Sequence, residues 1–326
     1  MKNAPILFVI VVLFTACGQK SNKSIEFSEP QVEVVQINTH QGTTLLGKEL
    51  INRQLDQKRD SARISNYLLA KKRYDKNPND AEAIIWVGRR MAYLGDFKEA
   101  IKIFTEGIEK FPEDARMYRH RGHRLISTRK YDEAIADFNI AVKLIEGTED
   151  VVEPDGAPNV RNIPVSSLHT NIWYHLGLAY YLQNNMDKAY WAYNESLKGS
   201  TNPDMKVASA NWVYMILRRM GKEEEAKKVV ESITAEMDVF ENMAYHQLCL
   251  FYKGEITEKE LLGENDQEVE YMNDAIVYGL GNWYLYNGNN EKAKELFTKL
   301  VDKGVSAGFA VLSAEADLVR MMKEEE

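Results

Sequence analysis

From Ala81 to Ala141, apolar side chains recur every three or four positions in successive blocks, the spacing of helices that each bury one face. Ile84, Val87 and Met91 mark the first block, and Phe97, Ala100, Ile101, Phe104 and Ile108 mark the second; Gly95-Asp96 supplies the turn between them. The two-helix unit returns 34 residues later, where Gly88, Phe97, Ala100 and Phe104 become Gly122, Tyr131, Ala134 and Phe138. The small residues fall where two helices must approach closely, and the aromatic residues fill the space beside them.

The pattern continues with interruptions. Gly122, Ala134 and Phe138 reappear as Gly177, Ala189 and Tyr193, 55 residues on, joined by Trp173, Leu176 and Tyr180. The excess over one period falls around Gly147 to Leu168, where Pro154, Gly156, Pro158 and Pro164 forbid continuous helix. A looser unit carries Gly221 and Ala226, a degenerate one keeps a helix over Met243 to Tyr252, and Gly281, Tyr284, Gly288, Ala293 and Phe297 restore the signature. Before the repeats, Asp56 to Asp75 predicts a helix with Ile64, Leu68 and Tyr74 on one side, ended by Asn77-Pro78-Asn79-Asp80. After them, Ser306 to Met322 predicts a last helix with Phe309, Leu312, Ala316 and Val319 on one face and polar residues on the other. Gln31 to Ile37 alternates weakly around Val32 and Val34 and predicts an extended segment against the first repeat.

A 34-residue helix-turn-helix period closed by Phe111-Pro112 resembles the tetratricopeptide repeat (TPR). The resemblance implies an all-α fold: a right-handed TPR superhelical solenoid of helix-turn-helix repeats with N- and C-terminal capping helices. Repeats are expected near 81–114, 115–148, 170–203, 207–239, 240–273 (degenerate) and 274–304, with an insertion at 147–169. Residues 31–80 then form the N-terminal extended segment and cap, and 305–326 the C-terminal cap. Solenoids need polar outer faces at their ends.

The N-terminus adds a different signal. Lys2 is followed by an unbroken run of nine apolar residues from Ile6 to Phe14, too short to span a bilayer. Leu13-Phe14-Thr15-Ala16-Cys17-Gly18 resembles a bacterial lipoprotein signal, with Phe14 where leucine is commoner. That resemblance implies removal of residues 1–16 and acylation of Cys17, each buried methylene contributing about 0.8 kcal/mol to a lasting anchor. Gly18 to Pro30, rich in Ser, Lys, Asn and Gln, reads as a tether. The expected location is the cell envelope, anchored to the outer membrane and facing the periplasm.

Composition narrows the choices. A net charge of −8 argues against nucleic acid as a general partner, since such binding relies on a basic surface. With two cysteines, Cys17 at the signal and Cys249 inside an apolar helix, no disulfide framework is implied, and Cys249 reads as an inert buried thiol. His120 and His123 have a metal-compatible spacing, but Arg116, Arg119, Arg121 and Arg124 surround them and would repel a cation. Gly279-Leu280-Gly281 lies within a helical repeat rather than after a strand, so it is no phosphate loop. No nucleophile, paired carboxylates or cofactor motif emerges, so no enzymatic activity, metal or cofactor is expected.

In the resembling family the first helix of each repeat lines a concave groove for peptides. Transferred to this chain, the groove offsets select Arg89 and Tyr93, then Arg116, Arg119 and His123, then Asn171, Tyr174 and Tyr181. In later repeats they select Asn211, Arg218 and Arg219, then Tyr278, Asn282 and Tyr286. A groove of arginine, histidine, tyrosine and asparagine suits an anionic ligand, because guanidinium binds carboxylate or phosphate through paired hydrogen bonds. The expected function is a membrane-anchored scaffold whose groove holds a segment of a protein partner in an envelope complex. The alternative is capture of an anionic small molecule or glycan, with residues 147–168 as a lid.

Overall fold

The computed structural model describes residues 35–263, 273–304 and 307–324, all within one compact unit. The signal, the tether, Cys17 and positions 31–34 of the expected extended segment lie outside the described residues. A short antiparallel hairpin, β1 (His40–Thr43) and β2 (Glu49–Ile51), precedes α1 (Ser61–Lys76). Paired helices follow: α2 (Ala81–Leu94) with α3 (Phe97–Lys110), α4 (Ala115–Ser127) with α5 (Tyr131–Ile145), and α6 (Leu168–Leu182) with α7 (Met186–Lys198). Next come α8 (Pro203–Arg219) with α9 (Glu223–Glu231), α10 (Met243–Lys253) with the short α11 (Glu258–Leu262), α12 (Asp274–Tyr286) with α13 (Asn290–Asp302), and finally α14 (Phe309–Glu324). Among the described residues, no helix is long and apolar enough to cross a membrane.

Local chemistry explains where the helices begin and turn. Asp80, Asp96 and Asp114 cap α2, α3 and α4 by accepting from backbone N–H groups of the first turn, and Ser167 with Thr170 forms a capping box on α6. The turn within each pair places one residue in left-handed backbone: Gly95, Asn184, Gly221, Gly254 and Gly288. Arg129 occupies that place in the second repeat at φ 63°, an uncommon conformation for an arginine.

Packing inside each repeat follows the small–aromatic pairing. A Cβ on Gly88 would lie 2.6 Å from the Phe104 ring, and one on Gly177 would lie 2.6 Å from Tyr193, so these helices close to a distance only glycine permits. Gly122 with Phe138 and Gly281 with Phe297 repeat the arrangement.

At the two ends, α1 keeps a polar exposed face with Ile64 as its one buried residue, whereas α14 does not keep the expected polar outer face. At the start, Val35 packs with Ile64 of α1 and Leu94 of the first repeat. The hairpin was not foreseen, and it grips the first turn: the Asn38 N–H donates to Asp96 Oδ2 at 2.8 Å, and Gln41 Oε1 accepts from the Lys98 N–H at 2.9 Å. At the other end, α14 is buried continuously from Ala310 to Leu318, so its polar residues Ser313, Glu315 and Asp317 are inside rather than on a solvent face.

Candidate functional site

The first helices of the repeats, α2, α4, α6, α8 and α12, pack beside one another and make the inner face that sequence reasoning treats as a groove. Two segments of the same chain occupy much of it. Helix α14 crosses α4, α6, α8 and α12, with Phe309 against His123 and His175 at ring separations of 5.7 and 5.5 Å. Glu315 accepts from Arg129 at 2.7 Å, in a pair whose side chains are only 2–3% exposed. Asp317 accepts two bonds from Arg219, at 2.7 and 2.6 Å, another from the Tyr278 hydroxyl at 2.8 Å, and one from Arg320. Burial pushes the Asp317 carboxyl up, but Arg219 and Arg320 outweigh it and hold it below its ordinary range.

This contact recruits residues assigned to a ligand. Tyr181 donates to the Tyr278 hydroxyl at 2.7 Å and accepts from Asn282 at 2.7 Å, while Asn282 Oδ1 accepts from Arg219. The order is forced, because Tyr278 spends its only proton on Asp317. Tyr174 is buried and accepts from Trp212 Nε1 at 2.6 Å; Asn211 is buried and accepts from Tyr252. Tyr174, Tyr181 and Asn211 therefore lie inside the folded chain rather than on an open surface. Arg218 stacks over Tyr286 and donates to Asn287 at 3.0 Å, at the rim. Arg116 is bound by Asp114 and Glu82, at 2.6 and 2.9 Å.

The insertion covers the other end. Glu153, nearly buried, meets Arg119 at 3.0 Å and also accepts from Asn171. The carbonyls of Pro154 and Gly156 accept from Arg89 and Arg90, at 2.8 and 2.6 Å. Gly156 lies so close to the Tyr93 ring that no Cβ fits there. Further along the insertion, Arg161 pairs with Asp238 and Asn159 with Glu241.

Between these two segments a pocket of about 100 Å³ stays open. It is lined by Arg89, Ala92, Tyr93, Phe104, Arg119, His120, His123 and Arg124. The structure thus brings Arg89, Tyr93, Arg119 and His123 together and leaves Arg116, Tyr174, Tyr181, Asn211 and Arg218 outside. Arg124 was missed because the groove offsets pass over it; its half-buried guanidinium is pushed down to about 10, chiefly by burial. His120 and His123 are held well below their ordinary range by burial and by the neighbouring arginines. His120 Nδ1 must accept the 2.9 Å bond from Arg119, so its proton sits on Nε2 facing Glu153. Among the described residues, no group of three or more metal-ligating side chains is present. Cys249 is buried and its thiol is pushed far up.

Two stretches match tetratricopeptide-repeat family models, residues 88–147 and 274–303. Among solved structures, a tetratricopeptide repeat protein from Parabacteroides merdae is similar at 15% identity over 80% of this chain and 95% of its own, with a TM-score of 0.47. YrrB, described as a TPR protein with an unusual peptide-binding site, is similar at 16% identity over 74% and 95%, with a TM-score of 0.41. BtubC from P. vanneervenii is similar at 14% identity over 83% and 92%, with a TM-score of 0.42. No curated protein matches. Together, the 34-residue period, the matched repeats and the succession of paired helices make this chain an almost wholly helical solenoid of the tetratricopeptide-repeat type, with the repeats themselves matched at residues 88–147 and 274–303.

Proposed function

We propose that the chain is a lipid-anchored interaction scaffold of the bacterial cell envelope, held at the outer membrane by acylated Cys17, which engages an acidic segment of a protein partner at the Arg89–Arg124 pocket. Repeat solenoids of this kind are protein-interaction modules, and the sequence around Cys17 supports the anchor. The observation that carries the choice of surface is the pocket itself. It gathers three guanidiniums on a protein of net charge −8 with one carboxylate, Glu153, at ion-pair distance among the described residues, whereas the recess beside Arg218, Arg219 and Arg320 already holds Asp317. A basic recess in a low-dielectric wall focuses its field on an incoming anion.

A second reading, an anionic small molecule or glycan held under residues 147–168, is favoured by the insertion's contacts with Arg89, Arg90 and Arg119.

Capture from detergent-solubilised envelope by wild type, Arg89→Gln/Arg124→Gln and Arg116→Gln separates these readings. The scaffold reading expects a protein retained by wild type and Arg116→Gln and reduced at least tenfold with the double variant. Equal retention by all three would move the contact elsewhere, and no retained protein would favour the small ligand. In the same cells Cys17→Ser is expected to shift the protein from the membrane to the soluble fraction; unchanged sedimentation would remove the anchor.

A further inference from the structure

Three guanidiniums rarely share one recess without matching carboxylates, because each repels the others and loses hydration on burial. Here Glu153 answers Arg119. Arg89 donates to a backbone carbonyl, which carries no compensating charge, and Arg124 stacks over Phe97 with no carboxylate at ion-pair distance among the described residues. The lining therefore holds two positive charges beyond its own counter-ion, since both histidines are kept neutral. Asp155 on the insertion lies near Arg89, and even fully ionised it leaves a surplus of one.

The hydrogen-bond inventory points the same way. Arg119 Nε is buried without a partner among the described residues, although its terminal nitrogens are engaged. The His123 ring lines the pocket between His175 and Phe309 and makes no hydrogen bond among the described residues. Buried donors are normally satisfied, so unspent ones beside a cavity mark a missing acceptor. About 100 Å³ accommodates one tetrahedral oxyanion, but not a folded element.

We infer that this pocket binds a phosphoryl group, with Arg89 and Arg124 taking its charge and Arg119 and His123 donating to its oxygens. A phosphate monoester carries about −1.5 to −2 at neutral pH, which answers a surplus of one to two, and its three strong acceptors serve Arg89, Arg124, Arg119 and His123 together where a carboxylate brings only two oxygens. The inference rests on the reading of this pocket as the ligand end of the scaffold and specifies the chemistry it takes. The group can arrive as free phosphate or on a phosphorylated segment of the partner.

Titration of the full chain at fixed ionic strength with inorganic phosphate, with a phosphoserine peptide and with acetate, followed by calorimetry, tests it. The expected result is saturable one-site phosphate binding, weakened at least tenfold in Arg89→Gln/Arg124→Gln and unchanged in Arg116→Gln, which removes one guanidinium outside the pocket. The single variant Arg89→Gln, at a half-buried site, gives the same reading if the double variant loses its helical signal. Tighter binding of the phosphopeptide places the group on a protein, and equal or weaker binding places it on free phosphate. Phosphate binding unaffected by these variants, acetate binding as tight as phosphate, or no saturable binding by wild type would overturn the inference. Arginine-dependent partner capture without phosphate binding would leave the scaffold standing and remove only the phosphoryl assignment.

Discussion

Asp317→Ala is expected to destabilise the chain by about 3–5 kcal/mol, the usual cost of removing one partner from a buried ion pair. The carboxylate is 1% exposed and is the shared acceptor for Arg219, Arg320 and the Tyr278 hydroxyl. Its loss strands Arg219, whose side chain is only 9% exposed, and leaves the Tyr278–Tyr181–Asn282 chain without its terminal acceptor. Asp317→Asn keeps the shape but removes the charge, so its effect should be smaller. Urea unfolding followed by circular dichroism reads both; a loss of unfolding free energy below about 0.5 kcal/mol for the alanine variant would show that α14 is not held by this contact.

Acidification gives the second large effect. His120 and His175 are 4–5% exposed, and burial with nearby Arg119 and Arg124 holds both well below the ordinary histidine range. The unfolded chain takes up a proton at each near pH 6.5, whereas the folded chain resists it. Stability from this source is therefore complete above about pH 6.5 and falls as pH drops, by about 1.4 kcal/mol per histidine per pH unit. Asp317, whose folded value is also depressed, adds a loss that begins only at the lower pH where an unfolded aspartate protonates. Urea midpoints measured between pH 7.5 and 5.5 should decline steeply in wild type and with a slope reduced by about one proton in His120→Gln. A flat profile would mean that these rings protonate freely in the folded state.

The repeats were legible because their signal is local: a glycine on one helix and an aromatic residue 16 positions later, as in Gly88 with Phe104 and Gly177 with Tyr193, must meet whenever the two helices pair. The role of α14 was not legible, since Glu315 and Asp317 find Arg129 and Arg219 across 186 and 98 residues, separations that no periodicity encodes. One clue was present. Arg129 stands where the neighbouring repeats place Gly95, Asn184 and Gly221, and that left-handed backbone is now held by the buried pair with Glu315. The hairpin escaped for the same reason, because Asn38 and Gln41 are fixed by Asp96 and Lys98 in the first repeat rather than by their own pattern.

The candidate site divides along similar lines. Arg89, Tyr93, Arg119 and His123 share the pocket because helical offsets place them on the inner face. Tyr174, Tyr181 and Asn211 lie on the same face, but α14 and neighbouring helices enclose them. Arg116 turns instead to Asp114, which caps its own helix, and to Glu82 on α2.

Helix α14 stays on the inner face while ligand enters at the Arg89–Arg124 pocket. Amide hydrogen exchange tests it most directly, with and without the captured partner or phosphate. Amides of Ala310–Leu318 are expected to be protected to the level of global unfolding in both states, with ligand slowing exchange only in α2, α4 and the insertion. Fast exchange along α14, or loss of its protection when ligand binds, would show that the helix leaves the groove and that the ligand takes its place.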